Sequence, residues 1–270
     1  MPTLYVVATP IGNLDDISRR ALRTLSEVKL IAAEDTRKTK RLLNTYQIKT
    51  PLTSYHEHNK LAKLGYILER LEVEDVALVS SAGMPGISDP GYELILAASQ
   101  RGIPVVAIPG PSVVITALAV SGLPTDRFSY IGFLPRQASQ RRSCLKSIAG
   151  GQNTVVAFEA PHRLLATLED MRLILGDRRL AVCRELTKLY EEVFRGTISQ
   201  ALEHFSQPRG EFTLVIAGKE AGDRPQLTAD IEGQLHNMRQ SGAGAREAIA
   251  KVAAETGVSR KELYQAWLKR

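Results

Sequence analysis

Short apolar runs of strand length alternate along this chain with longer stretches whose hydrophobic positions recur at helical spacing. Residues 4–8, 28–33, 76–80 and 105–108 are such runs, rich in Val, Ile and Ala, and they predict buried strands. Between them, residues 17–25, 92–99 and 113–120 carry the spacing of helices. After the break Ser121-Gly-Leu-Pro124 the alternation resumes, with strands expected at 127–133, 154–158, 180–184 and 212–217 and helices at 139–148, 162–175 and 198–205. This pattern predicts an α/β fold of two α/β domains, residues 1–120 and 121–222, with the boundary near 118–126. A ligand cleft is expected between them, because open α/β sheets hold ligands beyond the carboxyl ends of their strands.

Residues 218–226 form a polar linker, and 226–270 read as a small helical tail of helix-turn-helix character. Its helices are expected at 244–256 and 259–268, joined at Gly257, with Ser259-Arg-Lys-Glu262 as a capping box. From residue 226 onward there are seven basic and five acidic residues, a surplus of only +2. A DNA-binding role is therefore not expected of the tail, and packing, dimerisation or RNA docking is the better reading.

Composition narrows the class. The chain has 270 residues, 44% hydrophobic and 24% charged, enough to bury a core. No apolar run approaches the ~20 residues that span a bilayer, and no signal peptide is expected at Met1-Pro-Thr3. Cys144 and Cys183 are expected to be reduced thiols of a cytoplasmic protein. The net charge of +6 is mild, but the cations are clustered. Arg37, Lys38, Lys40, Arg41 and Lys49 form one acid-free cluster, and Arg136, Arg141, Arg142 and Lys146 form another. Facing a groove, such clusters attract a phosphate backbone.

Familiar phosphate and hydrolase motifs are missing. There is no P-loop, no Gly-x-Gly-x-x-Gly after the first strand, no Gly-x-Ser-x-Gly and no His-Glu-x-x-His. His56-Glu-His58 lies in a polar stretch with nothing nearby to complete a zinc set, so no metal is expected. Four Gly/Pro-rich loops remain, at 9–13, 81–91, 109–112 and 158–163, each after an expected strand. Glycine permits close backbone approach and proline stiffens the same segments, which suits a pre-formed crevice. Titratable groups gather beside them: Glu34, Asp35 and Arg37, then Glu159, His162 and Arg163, then Glu185, Thr187 and Lys188.

These segments resemble the signature blocks of the tetrapyrrole (corrin/porphyrin) methylase superfamily. Within it they are similar to the bacterial enzymes that 2′-O-methylate a cytidine ribose in small-subunit ribosomal RNA. The blocks are Thr9-Pro-Ile-Gly-Asn-Leu-Asp-Asp-Ile-Ser18, Ala33-Glu-Asp-Thr-Arg37, Ser54-Tyr-His-Glu-His-Asn59, Gly86-Ile-Ser-Asp-Pro-Gly91 and Pro109-Gly-Pro-Ser112. They continue with Gly122-Leu-Pro-Thr-Asp-Arg-Phe128, Gly132-Phe-Leu-Pro135, Phe158-Glu-Ala-Pro-His-Arg163 and Arg184-Glu-Leu-Thr-Lys188, covering residues 4–219 in order.

The resemblance implies S-adenosyl-L-methionine as cofactor, folded between the two domains. Its contacts would be Pro10, Ser81, Ala82, Gly83, Ile87, Ser112, Glu159, Ala160, Thr187 and Ala217. It also implies transfer to a ribose hydroxyl, with Asp35 or Glu159 handling the proton, Arg37 or Lys188 stabilising negative charge, and Glu34 as an orienting group. Arg37, Lys38, Lys40, Arg41, Arg136, Arg141, Arg142, Lys146 and Arg163 would hold the RNA. The implied partners are small-subunit ribosomal RNA or the 30S subunit and a second copy in a homodimer, with no membrane and no DNA. One departure stands out: the family usually reads Ser-Asp-Ala-Gly-Thr-Pro where this chain has Ser80-Ser-Ala-Gly-Met-Pro85. If this loop binds through backbone groups, the loss of a carboxylate and a hydroxyl changes little. The competing readings are a tetrapyrrole methylase and a non-catalytic RNA-binding assembly factor.

Overall fold

The computed structural model describes residues 1–219, 229–241, 243–256, 258 and 260–268. They fall into two units, 1–218 and 219–270. In the first unit, strands β1 (Leu4–Val7), β2 (Leu30–Ala33), β3 (Leu52–Ser54), β4 (Val76–Val79) and β5 (Val105–Ile108) alternate with helices. The helices are α1 (Arg19–Glu27), α2 (Thr36–Thr45), α3 (Lys60–Arg70), α4 (Tyr92–Gln100) and α5 (Val113–Val120). The five strands form an all-parallel sheet in the order β3-β2-β4-β1-β5. Its centre is apolar on both faces, as a covered parallel sheet requires: every residue of β2 and β4 is buried.

The second sheet uses β6 (Phe128–Phe133), β7 (Thr154–Glu159), β8 (Arg179–Arg184), β9 (Glu192–Thr197) and β10 (Phe212–Ile216), with α6 (Ala138–Ile148), α7 (Leu164–Leu175) and α8 (Ile198–His204). Its order is β6-β7-β10-β8-β9, parallel only between β6 and β7. Residues 118–126, expected as a domain boundary, lie between the two sheets at the end of α5 and before β6, inside the single compact unit 1–218. Across that segment, Ile11, Val114, Ala117 and Leu118 share one apolar cluster with Val156, Ala181, Cys183 and Val215 of the second sheet. The helix following β5 thus ties the two sheets together, and burial pushes the Cys183 thiol up to about 11. Within 1–218 the halves meet through a packed core.

Several elements escape the hydrophobic pattern. Helix α2 buries only Thr39, Leu42 and Leu43, so its sequence looks like a charged loop. Its start is set by Asp35, whose carboxylate accepts from the amides of Arg37 and Lys38 at 2.9 and 3.3 Å. Strand β3 has three half-buried residues, and β9 is a half-exposed edge strand.

The second unit contains α9 (Ala229–Gln240), α10 (Ala245–Thr256) and α11 (Arg260–Leu268), packed around Leu235, Ile249, Val252, Val258 and Leu263. Helix α9 adds a third helix to the two expected. Gly257, Ser259 and most of the expected linker lie outside the described residues. Among the described residues no helix is long and apolar enough to cross a membrane.

Candidate active site

Because the first sheet is parallel, the carboxyl ends of its strands share one edge, and the chain must turn there five times. After β1, Thr9 pairs with Gly83 in an isolated antiparallel bridge, each amide donating to the other's carbonyl at 2.9 Å. After β2, Glu34 Oε2 accepts from the Ser81 amide at 2.7 Å. The loop after β4 carries positive φ at Gly83, Gly86, Ser88 and Gly91. Gly91 shows why: a Cβ there would lie 3.1 Å from both the Gly86 amide nitrogen and Leu78 Cδ2. The loop reaches the other half through Ser88, whose hydroxyl lies 2.6 Å from the Tyr130 phenol.

From the second sheet, a register shift between Tyr130 and Phe133, with Gly132 at φ 67°, turns the end of β6 toward the same space. Phe158 stands between Tyr130 and Phe133, at centroid distances of 5.2 and 5.3 Å. A second link between the halves is the turn at 185–188, where Glu185 and Thr187 both have positive φ. It lies so close to Gly12 that a Cβ there would meet Lys188 Cγ at 2.5 Å and Thr187 Oγ1 at 2.6 Å.

These walls enclose a cavity of about 430 Å³, within the usual range for a small-molecule site. Glu34, Lys38, the 81–84 and 87–89 segments, and Ser112, Val113 and Val114 line one side. Phe133, 158–161 and 211–213 line the other. A smaller chamber of about 80 Å³ shares Ala82, Val113, Glu211 and Thr213 with it and ends at Ile11 and Cys183.

Of the ten expected cofactor contacts, seven line the main cavity: Ser81, Ala82, Gly83, Ile87, Ser112, Glu159 and Ala160. Pro10 lies in an adjoining hollow with Lys38, Arg41, Ser80 and Ser81. Ala217 is buried in the core between the sheets, and Thr187 sits in the 185–188 turn with its hydroxyl buried and unpartnered.

The expected proton-handling groups differ sharply in surroundings. Glu159 is 1% exposed; it accepts from the Ala160 amide at 2.8 Å and the Thr167 hydroxyl at 2.6 Å, and pairs with Arg163 at 2.6 Å. Both of its carboxylate oxygens are engaged in holding the wall. Asp35 is not among the cavity-lining residues; Arg37 beside it and the helix amides hold its carboxyl below the usual range. Lys188 bonds Glu185 and Glu211 at 2.9 and 2.8 Å. Asp89, absent from the expected set, lines the cavity, and burial with repulsion from Glu34 raises its carboxyl to about 6. Its signal was its place in Gly86-Ile-Ser-Asp-Pro-Gly91, an acid in a strained turn.

The basic residues also separate. Helix α2 turns Lys38 and Arg41, one helical turn apart, toward the hollow beside the cavity. Arg37 and Lys40 join Lys49 along an open groove on its other side. Arg136 and Lys146 are exposed. Arg141 is not a surface cation: it is 5% exposed and its guanidinium clasps Asp170 of α7 at 2.6 Å, while Arg142 holds the other carboxylate oxygen from a half-exposed position. Arg163 is engaged with Glu159 and the Leu134 carbonyl, so it too is committed within the fold. Both were expected to touch RNA; in the fold Arg141 is buried against Asp170, and Arg163, partly buried, is paired with Glu159.

Comparison with known proteins fits this architecture. Residues 3–202 match the family model described as Tetrapyrrole (Corrin/Porphyrin) Methylases. A protein of Halalkalibacterium halodurans named ribosomal RNA small subunit methyltransferase I is 47% identical, over 98% of this chain and 94% of its own length. A protein of the same name from Thermotoga maritima is 52% identical over 82% of this chain and 100% of its own length. Among solved structures, a diphthine synthase aligns with a TM-score of 0.60 at 15% identity, covering 80% of this chain and 90% of that one. Uroporphyrin-III C-methyltransferase from Thermus thermophilus aligns at 0.56 and 19% identity, covering 80% and 94%. At those identities the structures speak for the fold alone.

Proposed function

Because this chain belongs to the tetrapyrrole (corrin/porphyrin) methylase family, we propose that it is an S-adenosyl-L-methionine-dependent methyltransferase acting on a cytidine ribose 2′-hydroxyl of small-subunit ribosomal RNA. The observation that carries the reading is near-full-length identity of 47% to a relative named for that RNA, together with a cavity whose walls suit the cofactor. Phe133 and Phe158 offer aromatic surface for a purine, and Val113, Val114 and Ile87 offer apolar surface. Glu34 gives the lining a negative charge complementary to a sulfonium or an ammonium group. When bound, the cofactor supplies an electrophilic methyl group.

The chain's own residues then have three tasks. The 81–83 segment, anchored to Glu34 and Thr9, presents backbone groups to the cofactor from a fixed position. Glu159, held by Arg163 and Thr167, keeps the end of β7 rigid so that Phe158 and Ala160 stay in the wall. Lys38 and Arg41 beside the cavity, with Arg37, Lys40 and Lys49 along the neighbouring groove, hold the phosphates flanking the target nucleotide. The target ribose is reached in a single-stranded or splayed segment, as folded RNA otherwise hides it. The same reading includes the cytoplasm as the place of action and a homodimer as the working form.

The tetrapyrrole reading is less favoured, because the curated relatives at high identity are named for ribosomal RNA. The deciding experiment offers labelled S-adenosylmethionine with either unmethylated 30S subunits or a porphyrinogen acceptor. Label in the RNA supports the reading, and label in the porphyrinogen contradicts it. A protein that does not bind the cofactor by calorimetry belongs to the non-catalytic alternative.

A further inference from the structure

Four carboxylates line the cavity: Glu34, Asp89, Glu159 and Glu211. Three are occupied by other work. Glu159 has a hydroxyl, an amide and a guanidinium as partners. Glu34 accepts from the Ser81 amide, and Glu211 extends into solvent, bonded to Lys188. Asp89 has the Ser80 hydroxyl as its hydrogen-bonding neighbour, and among the described residues no cation pairs with it. Its loop is built to hold it in place. Two flanking glycines and Ser88 adopt left-handed backbone, Gly91 packs against Gly86 and Leu78, and the Ser88–Tyr130 hydrogen bond pins the turn to the opposite half.

We propose that Asp89 is the catalytic base that receives the proton of the substrate hydroxyl during methyl transfer. The proposal rests on the functional reading above. As the ribose 2′-oxygen bonds the methyl carbon, the carbon–sulfur bond breaks, its electron pair leaves with the thioether, and the hydroxyl proton moves to the Asp89 carboxylate. A thioether needs no proton to leave, so one acceptor suffices.

The surroundings tune Asp89 for that step. Glu34 faces it from the end of β2, the Ser80 hydroxyl from the end of β4 and the Tyr130 phenol from β6. Lys38 of α2 shares the cavity, with Glu159 and Glu211 on the far side. Burial first, and repulsion from Glu34 second, bring the carboxyl to about 6, so that it is ionised yet basic near neutrality.

The test compares wild type, Asp89→Asn and Glu34→Gln. In the free protein, a carboxyl carbon resonance present in wild type and missing in Asp89→Asn should titrate with a midpoint near 6 and move to lower pH in Glu34→Gln. With 30S substrate, wild-type turnover should rise with pH through the same midpoint, and this limb should shift to lower pH in Glu34→Gln. Asp89→Asn should lose about 100-fold or more in turnover, the scale of a missing general base, with cofactor affinity by calorimetry changed less than about threefold. Wild-type transfer with undiminished Asp89→Asn turnover overturns the proposal alone. So does a midpoint at the ordinary value for aspartate, or cofactor binding lost in parallel with rate, which would make Asp89 a cofactor ligand. Wild-type protein that binds the cofactor but moves no label to RNA overturns the functional reading and the proposal with it.

Discussion

Arg141 and Arg142 are adjacent cations in an acid-free stretch, and nothing in their sequence context separates them. In the structure one is buried against Asp170 and the other is half exposed on the same carboxylate. Truncating the buried partner strands a buried charge, which costs far more than trimming a solvated one. Arg141→Ala should lower unfolding free energy in urea by about 3 kcal/mol, and Arg142→Ala by about 1 kcal/mol or less. The same scale governs the departure at Ser81 and Met84. The Ser81 amide is held by Glu34, which fixes the backbone of the loop, and that contact is indifferent to the side chain. The double variant Ser81→Asp, Met84→Thr should bind S-adenosylmethionine within about threefold of wild type, the range of a minor contact. A tenfold gain by calorimetry would show that a side-chain contact is missing here. Side-chain identity at the site was legible in the motifs; which charges face inward was not, because that depends on partners 28 or 29 positions away.

At the scale of elements, the 83–91 loop is the part whose geometry carries most of the site. Gly91 combines a φ of 152° with two contacts at 3.1 Å for any added Cβ, so even alanine must displace the turn that presents Asp89. Gly91→Ala is expected to cost about 1–3 kcal/mol of stability and to weaken cofactor binding in proportion. Unchanged melting temperature and affinity would contradict the assignment. The buried strands were legible in the sequence because both faces of the central strands are apolar, giving unbroken runs such as Val-Ala-Leu-Val79. Helix α2 was not, since eight of its ten residues, all but Leu42 and Leu43, are polar and its start depends on a cap. Strand β9 was missed for a related reason: Glu192, Arg195 and Thr197 break the apolar pattern on an edge where burial is partial.

Over the whole molecule, the strand order β3-β2-β4-β1-β5 brings the ends of β1, β2, β4 and β5 to one edge, though they lie up to about a hundred residues apart in the chain. That juxtaposition follows from parallel pairing and the helical crossovers, and local periodicity does not encode it. The motif resemblance supplied most of the cavity lining, Phe133 and Phe158 included, while the bulge in β6 that sets Phe133 into the wall emerges only from pairing with β7. Under the proposed function, the open groove bearing Arg37, Lys40 and Lys49 would bind RNA through phosphate neutralisation. The double reversal Lys40→Glu, Lys49→Glu should weaken 30S binding by about tenfold or more at moderate salt and flatten its salt dependence, with cofactor affinity unchanged. Equal loss of both affinities would indicate damage to the fold. The most direct test of the account is to map the methyl group after transfer to unmethylated 30S subunits, by nuclease digestion to single nucleosides. The account predicts the label in 2′-O-methylcytidine. Label on a nucleobase, or on another nucleoside, would contradict it.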